Sequence, residues 1–322
     1  MKKIVSFVLT IALVFSVVAV MGGCGNNSGE KKQTLTIAYQ GGIGYAPVHI
    51  MEAKKLIEKN YDGEIEVVFQ KLDSGADINT GIIGGTIDVG CVGVAPAISA
   101  VANGVPAKIV SNLCSQSHGL MTSDSNIKTL KDIGNTQIAL VNIGSIQHIL
   151  LSMACEKELG DAHALDANIV KMAHAEGYAA LESGTYKLHL TSSPFINRER
   201  ENDKYTEIKA VNEIWPDGNS FLVAMASTKL QEENKVLFDA IVKSFEEAID
   251  FINTDKQGTA EIVSGYLGQD VETTLSDLND PTSLFFGSLK GVGEMADFMF
   301  RANFIEKEVN FEELKFSNVE GD

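Results

Sequence analysis

The chain has 322 residues, with 26 Lys plus Arg against 43 Asp plus Glu and a formal net charge of −17. That balance excludes nucleic-acid binding, which needs a basic face to meet phosphate. The length allows about two domains of roughly 150 residues, each with a real core.

The first residues read as an address. Met1-Lys2-Lys3 is basic, and Ile4 to Val20 is apolar apart from Ser6, Thr10 and Ser16. The run ends in Met21-Gly22-Gly23-Cys24. A basic start, an apolar stretch and small residues before a cut site make a secretory signal. A transmembrane anchor is the other reading, since the run reaches the minimum spanning length. Gly22-Gly23 directly before Cys24 resembles a bacterial lipobox, with Met21 where Leu is commonest. On that reading residues 1–23 are a lipoprotein signal peptide, and Cys24 becomes a lipidated N-terminus. Acyl chains anchor it to the membrane at roughly 0.8 kcal/mol per buried methylene. The polar residues 24–33 form a flexible tether to an extracytoplasmic, monomeric body. Without Lys2 and Lys3 the body is still more acidic, so anionic headgroups repel it. Cys91, Cys114 and Cys155 are widely spaced, with no C-x-x-C, which speaks against structural zinc. They are either one pair plus a free thiol or three buried thiols packing as small hydrophobes.

Strand and helix patterns then alternate. The strands are predicted at Leu35–Tyr39, Ile65–Phe69, Ile87–Val92, Lys108–Leu113, Gln137–Val141, Ile169–Ala173, Lys187–Leu190, Ile208–Ile214 and Phe221–Ala226. Between them fall helices opened by Pro47 (to about Lys59), Ser74-Gly75, Pro96 and Ser145, and by Thr191 to Pro194, with shorter ones at Lys128–Ile133 and Gly177–Ser183. From Leu230 the pattern is helical throughout. Leu237, Ile241, Phe245, Ala248 and Ile252 form one apolar stripe, and two more helices lie near Val271–Leu278 and Leu289–Arg301. Such alternation implies parallel sheets covered on both faces. The fold class is α/β with two lobes. Residues 34–117 and 216–322 form lobe 1, and residues 118–215 form lobe 2. The crossings fall near Ser117–Met121 and Trp215–Ser220.

In open parallel α/β sheets, ligands bind beyond the carboxyl ends of the strands. The segments there are Gly41 to Tyr45, Asp73-Ser74-Gly75, Gly93-Val94-Ala95-Pro96, Asn142 to Ser145 and Thr191 to Pro194. Each leads into a helix, whose free N–H groups and positive dipole end favour an anion or a strongly polar group. Read one at a time, each is an ordinary helix cap.

Ile37-Ala38-Tyr39-Gln40-Gly41-Gly42-Ile43-Gly44-Tyr45-Ala46-Pro47 resembles the opening of nitrate/sulfonate/taurine-type ABC transporter substrate-binding proteins. Ser74 to Asp77, Gly84 to Gly90, Gly93 to Ile98 and Ala180 to Gly184 fit the same family. The resemblance implies a type II periplasmic-binding-protein-like fold. In it, two mostly parallel sheets are joined by two cross-strands and close on solute like a hinge. It implies a transport role with ABC permease and ATPase subunits as partners, no cofactor, and no enzymatic activity. By position it places Gly42, Ile43, Gly44, Tyr45, Ser74, Val94, Ala95, Ser145, Gln147, Thr191, Ser192 and Ser193 at the ligand. One departure falls in the second lobe. Tyr186 to Leu190 followed by Thr191-Ser192-Ser193-Pro194-Phe195 stands where the family has an aspartate-led strand and an acidic or aromatic residue before Pro-Phe. A solute carried over from taurine or nitrate binders therefore does not follow.

His49, His118, His148 and His189 fall near strand ends or helix starts. They are read either as surface or capping histidines or as ligand contacts, His118 foremost. No H-x-x-x-H or H-E-x-x-H spacing supports a metal. Trp215, at the second crossing, is read as stacking on a ligand or as core packing. Two other functions compete with transport. One is an extracytoplasmic ligand sensor. The other is an enzyme like the pyrimidine-synthesising one that shares the fold, but its cysteine-rich motif is absent, as is any G-x-S-x-G.

Overall fold

The computed structural model describes residues 33–322. The signal peptide, Cys24 and all of the tether but Gln33 lie outside the described residues. Five strands are β1 (Gln33–Tyr39), β2 (Ile65–Lys71), β3 (Val89–Gly93), β4 (Ala107–Cys114) and β5 (His118–Thr122). Five more are β6 (Ile138–Leu140), β7 (Ile169–Lys171), β8 (Leu188–Ser192), β9 (Thr206–Ile208) and β10 (Leu222–Ser227). They form two sheets, in the orders β2-β1-β3-β10-β4 and β7-β6-β8-β5-β9. β10 is antiparallel to β3 and β4, and β5 is antiparallel to β8 and β9. The other pairings are parallel. Each sheet therefore has one reversed strand, the one that has just crossed from the other sheet.

The first helices are α1 (Ala46–Ala53), α2 (Leu56–Asn60), α3 (Gly75–Ile83), α4 (Val94–Ala102), α5 (Ile146–Leu159), α6 (His174–Glu182), α7 (Phe195–Arg200) and α8 (Ala210–Ile214). After β10 come α9 (Thr228–Glu233), α10 (Lys235–Thr254), α11 (Lys256–Leu267), α12 (Val271–Asn279), α13 (Val292–Arg301) and α14 (Phe311–Leu314). β3, β5 and β8 are buried at every residue, as strands covered on both faces must be. On α10 the predicted stripe Leu237, Ile241, Phe245, Ala248 and Ile252 is wholly buried.

Two local readings change. The helix opened by Pro47 is split, because Lys55 takes a left-handed conformation at φ 50° between α1 and α2. Residues 208–214 are not a strand. β9 ends at Ile208 and α8 follows. Ile208, Val211 and Trp215 are all buried, an i, i+3, i+7 spacing that belongs to a helix rather than to a period of two. Cys91, Cys114 and Cys155 are buried free thiols. Burial pushes all three up, Cys114 and Cys155 to about 12.

Beneath the second sheet, His189 on β8 and Glu199 on α7 form a pair with no solvent exposure, Nδ1 to Oε1 at 2.6 Å. Burial pulls His189 down to about 4 and pushes Glu199 up to about 8. The pair therefore keeps one proton over a wide range, rather than holding two separated charges. Gly177 allows this packing, since a Cβ there would come within 2.4 Å of His189 Nε2.

The pH dependence follows from these values. With ordinary values of 6.5 and 4.5, the unfolded pair also holds one proton between about pH 4.5 and 6.5, so stability is flat there. Between about 6.5 and 8 the folded pair keeps a proton that the unfolded chain has lost, and stability falls as pH rises. Below about 4.5 the unfolded chain binds a second proton first, and stability falls as pH drops. Replacing both residues (His189→Leu with Glu199→Met) is expected to remove these slopes while leaving a folded protein. Melting temperatures of the two proteins across pH test this, and parallel curves would contradict it.

Candidate functional site

A cleft of about 720 Å³ lies where the carboxyl ends of both sets of parallel strands meet. Six helix starts open onto it. From the first sheet come the Gly42–Tyr45 turn before α1, Ser74 before α3, and Gly93 before α4. From the second come Ser145 before α5, Ala173 before α6, and Ser193-Pro194 before α7.

The first-lobe wall depends on glycine. Gly42 sits at φ 131°, a region nearly closed to other residues. A Cβ on Gly44 would come within 2.7 Å of Leu222 Cδ1 and 2.8 Å of Gln116 Oε1. This close approach lets the Gly41–Tyr45 turn lie directly on the crossing. Gln116, within the first crossing, donates from Nε2 to the Ser193 carbonyl at 2.8 Å and so ties it to the second-lobe wall. Gln40 Nε2 donates to the buried Tyr45 hydroxyl at 3.0 Å.

The serines differ in what they can offer. The Ser74 hydroxyl accepts from Asp77 N–H and donates to the Asp77 carboxylate, so it is used up as a cap. The Ser145 oxygen accepts from His148 N–H at 3.3 Å, leaving its O–H free to donate. The Ser193 hydroxyl donates to Asn197 Oδ1. Ser192 is buried against the cleft, and no hydrogen bond within the described residues engages its hydroxyl.

The charged lining residues are Lys71, Asp73 and Arg198. Lys71 Nζ lies over Gly41, and the Arg198 guanidinium lies 5.6 Å from the Phe195 ring centroid. Neither cation forms an ion pair among the described residues, and the lining therefore has a surplus of positive charge. Its two histidines add none. Desolvation pulls His49 down to about 4, and Lys71 pushes the same way. Desolvation pulls His174 down to about 3, with His189 nearby. His49 is stacked on Tyr266 at 4.3 Å and meets Tyr39 edge-on at 5.0 Å. His174 is held between Thr191 Oγ1 at 2.9 Å and Gln147 at 3.4 Å.

Of the residues predicted from the sequence, Gly42, Gly44, Tyr45, Ser74, Ser145, Gln147, Ser192 and Ser193 line the cleft together. The others are placed elsewhere, each for a physical reason. Ile43 turns fully into the core beneath its turn. Val94 and Ala95 are fully buried, and Gly93, Pro96 and Ser99 present that helix start to the cleft instead. Thr191 points behind the wall and positions His174. His118 is buried at the start of β5, its ring nitrogens 3.3 Å from the Gln116 and Val211 carbonyls. It joins the first crossing to α8, and desolvation depresses its pKa. Trp215 is buried with Nε1–H donating to the Ser220 carbonyl, and Gly291 leaves room for its ring. His148 and His189 are likewise held inside the second lobe.

Sequence reasoning missed His174, Arg198, Lys71, Phe195 and Tyr266. Arg198 could have been found, since it lies one turn into the helix that Thr191 to Pro194 opens. His174 sits one residue beyond the end of the predicted strand Ile169–Ala173. Tyr266 returns from α11, far along the chain, and has no local signal.

No curated protein sequence matches the chain. The sulphonate-binding protein SsuA of Escherichia coli shares its fold at 18% identity and a TM-score of 0.68, over 90% of this chain and 94% of that one. The alkanesulfonate-binding protein SsuA of Xanthomonas axonopodis, solved bound to MOPS, gives 16% and 0.71, over 88% and 98%. The nitrate-binding protein NrtA of Synechocystis gives 14% and 0.59, over 76% and 69%. The two-lobe periplasmic-binding-protein fold is thus established. The model of the NMT1-like family matches residues 28–267, and the chain belongs to that family.

Proposed function

We propose that this chain is the solute-binding component of an ABC importer. It captures one small polar or anionic molecule between its lobes by hinge closure and passes it to the permease and ATPase subunits; it is not an enzyme. The observation that carries this reading is the convergence of six helix starts from two sheets on one cleft whose two cations form no ion pair among the described residues. Free N–H groups at helix starts and unpaired cations both favour negative charge. The cleft volume of about 720 Å³ suits an organic molecule better than a bare inorganic ion. The sulfonate and nitrate binders that share the fold support the same class of solute. We place Gly42, Gly44, Tyr45, Ser145, Gln147, Ser192, Arg198 and Lys71 at the solute. Ile43, Val94, Ala95, Thr191, His118 and Trp215 support the walls and crossings behind them. The body is extracytoplasmic and held to the membrane by lipid on Cys24.

Thermal-shift screening with sulfonates, nitrate, pyrimidines and carboxylates is expected to find one stabilising class. A hundredfold excess over Kd adds about 2.7 kcal/mol. A flat response to every class would contradict the reading.

Arg198→Gln is expected to weaken binding of an anionic hit by about tenfold or more, since charge-assisted hydrogen bonds contribute roughly 1.5–3 kcal/mol. Ser192→Ala should weaken binding with little change in melting temperature. Ser145→Ala should also lose about 1 kcal/mol of stability as a lost cap. Calorimetry that finds affinity unchanged in all three would place the solute elsewhere.

Cys24→Ser is expected to abolish lipidation and release the protein from the membrane. A mutant that is still lipid-labelled would refute the anchor.

A further inference from the structure

Outside the cleft, the two lobes meet at a junction built around His163. This residue lies between α5 and β7, on the second lobe. Its Nε2 is 2.7 Å from the Ala302 carbonyl, at the end of α13, which packs with α4 and α14 on the first lobe. Its Nδ1 is 2.8 Å from Asp166 Oδ2. Both ring nitrogens thus face acceptors at short range, and neither partner can donate. A neutral imidazole has only one N–H and can satisfy one of them; the imidazolium satisfies both. His118 also faces two carbonyls, but at 3.3 Å and without solvent, where neutrality costs less than charge. His163 is 42% exposed and sits beside a carboxylate, so its charged form is cheap.

The junction does not end at Asp166. The other oxygen of that carboxylate, Oδ1, is 3.0 Å from His148 Nε2. His148 Nδ1 accepts the Gly144 N–H at 2.9 Å, so the proton given to Asp166 is on Nε2. Gly144 lines the cleft. A continuous hydrogen-bonded chain therefore runs from the cleft loop through His148, Asp166 and His163 to a first-lobe carbonyl.

We propose that His163 is a proton-operated latch. As the imidazolium it clamps the second lobe to Ala302 and, through Asp166 and His148, fixes the cleft loop at Gly144. Loss of its proton removes one of its two donors, so either the Ala302 contact or the Asp166 contact must be given up. Every charged group around it bears on the sign. Asp166 and Asp161 on its own loop favour the cation, as does the Ala302 carbonyl, and together they hold its pKa above the ordinary value. From α5, His148 shares Asp166. From α13, Arg301 is neutralised by Glu156 on α5 at 3.0 Å, and the Phe304 ring, 4.7 Å away, carries no charge. Because the folded pKa is raised, the latch is fully engaged below the ordinary imidazole pKa and is lost as pH rises through the folded value. Any effect of the latch on solute binding rests on the solute-capture reading; the latch itself does not.

The test uses solute-free protein. NMR gives the His163 midpoint, and small-angle scattering gives the radius of gyration from about pH 5 to about pH 9. The radius is expected to rise with pH at the His163 midpoint, and His163→Gln should lose that rise. A radius that stays constant while His163 titrates, or a rise that persists in His163→Gln, overturns the latch. If His163→Gln does not fold, Asp166→Asn should lower both midpoints together, and a scattering midpoint that stays put has the same force. A protein that binds no solute yet shows the matched midpoints would sink the transport reading and leave the latch standing.

Discussion

The cleft exists because the chain crosses between sheets at the edge where their parallel strands end. β4 finishes at Cys114, and only residues 115–117 separate it from β5. Three residues reach about 10 Å, so β5 must start beside the end of β4. His118, its first residue, is paired with Ser192, the last of β8. The return is alike. Leu222, the first residue of β10, is paired with both Gly93 and Cys114, the last of β3 and β4. Each crossing strand begins where its neighbours end and must run antiparallel to them. The carboxyl edges of the two sheets are thus forced face to face, and every helix that follows a parallel strand opens into the gap.

The crossings are also where buried polar side chains bond the backbone. Gln116, His118 and Trp215 all bond backbone carbonyls that no regular ladder satisfies there. An unpaired buried carbonyl is costly, so irregular chain in the middle of a protein calls for such donors. Gly44 completes the arrangement by letting a first-lobe turn lie against this pivot.

This explains what the sequence could and could not reveal. Strand–helix alternation carried the fold, because period two and period 3.6 each reflect burial of one face. It failed at residues 208–214, where Ile208 and Ala210 mimic alternation over too short a span. The rule of strand ends picked out segments that line the cleft but not the direction of each side chain. Within one segment Gly93 and Pro96 line the cleft while Val94 and Ala95 face the core. His118 and Trp215 were drawn to the site by their chemistry, yet the crossings needed those same groups as donors. Tyr266 reaches the cleft only through tertiary packing, which has no local pattern.

Charge tells the rest. A charge removed from water must be paired or given up. Deep in the second lobe both solutions occur. Glu199 is pushed up and shares a proton with His189, while Glu207 stays charged between Arg200 and Lys209. The cleft follows neither rule. Its histidines are held neutral by desolvation, but Lys71 and Arg198 form no ion pair among the described residues, and Asp73 is the one acidic group among the lining residues. In an open cleft water can solvate both cations. Closure would remove that water, and the cost of burying the surplus positive charge would oppose the closed state. On the proposed reading, an anionic solute would offset that cost and so favour closure. On that reading, two cations with no ion pair among the described residues oppose closure of an empty cleft, and a bound anion would relieve the opposition.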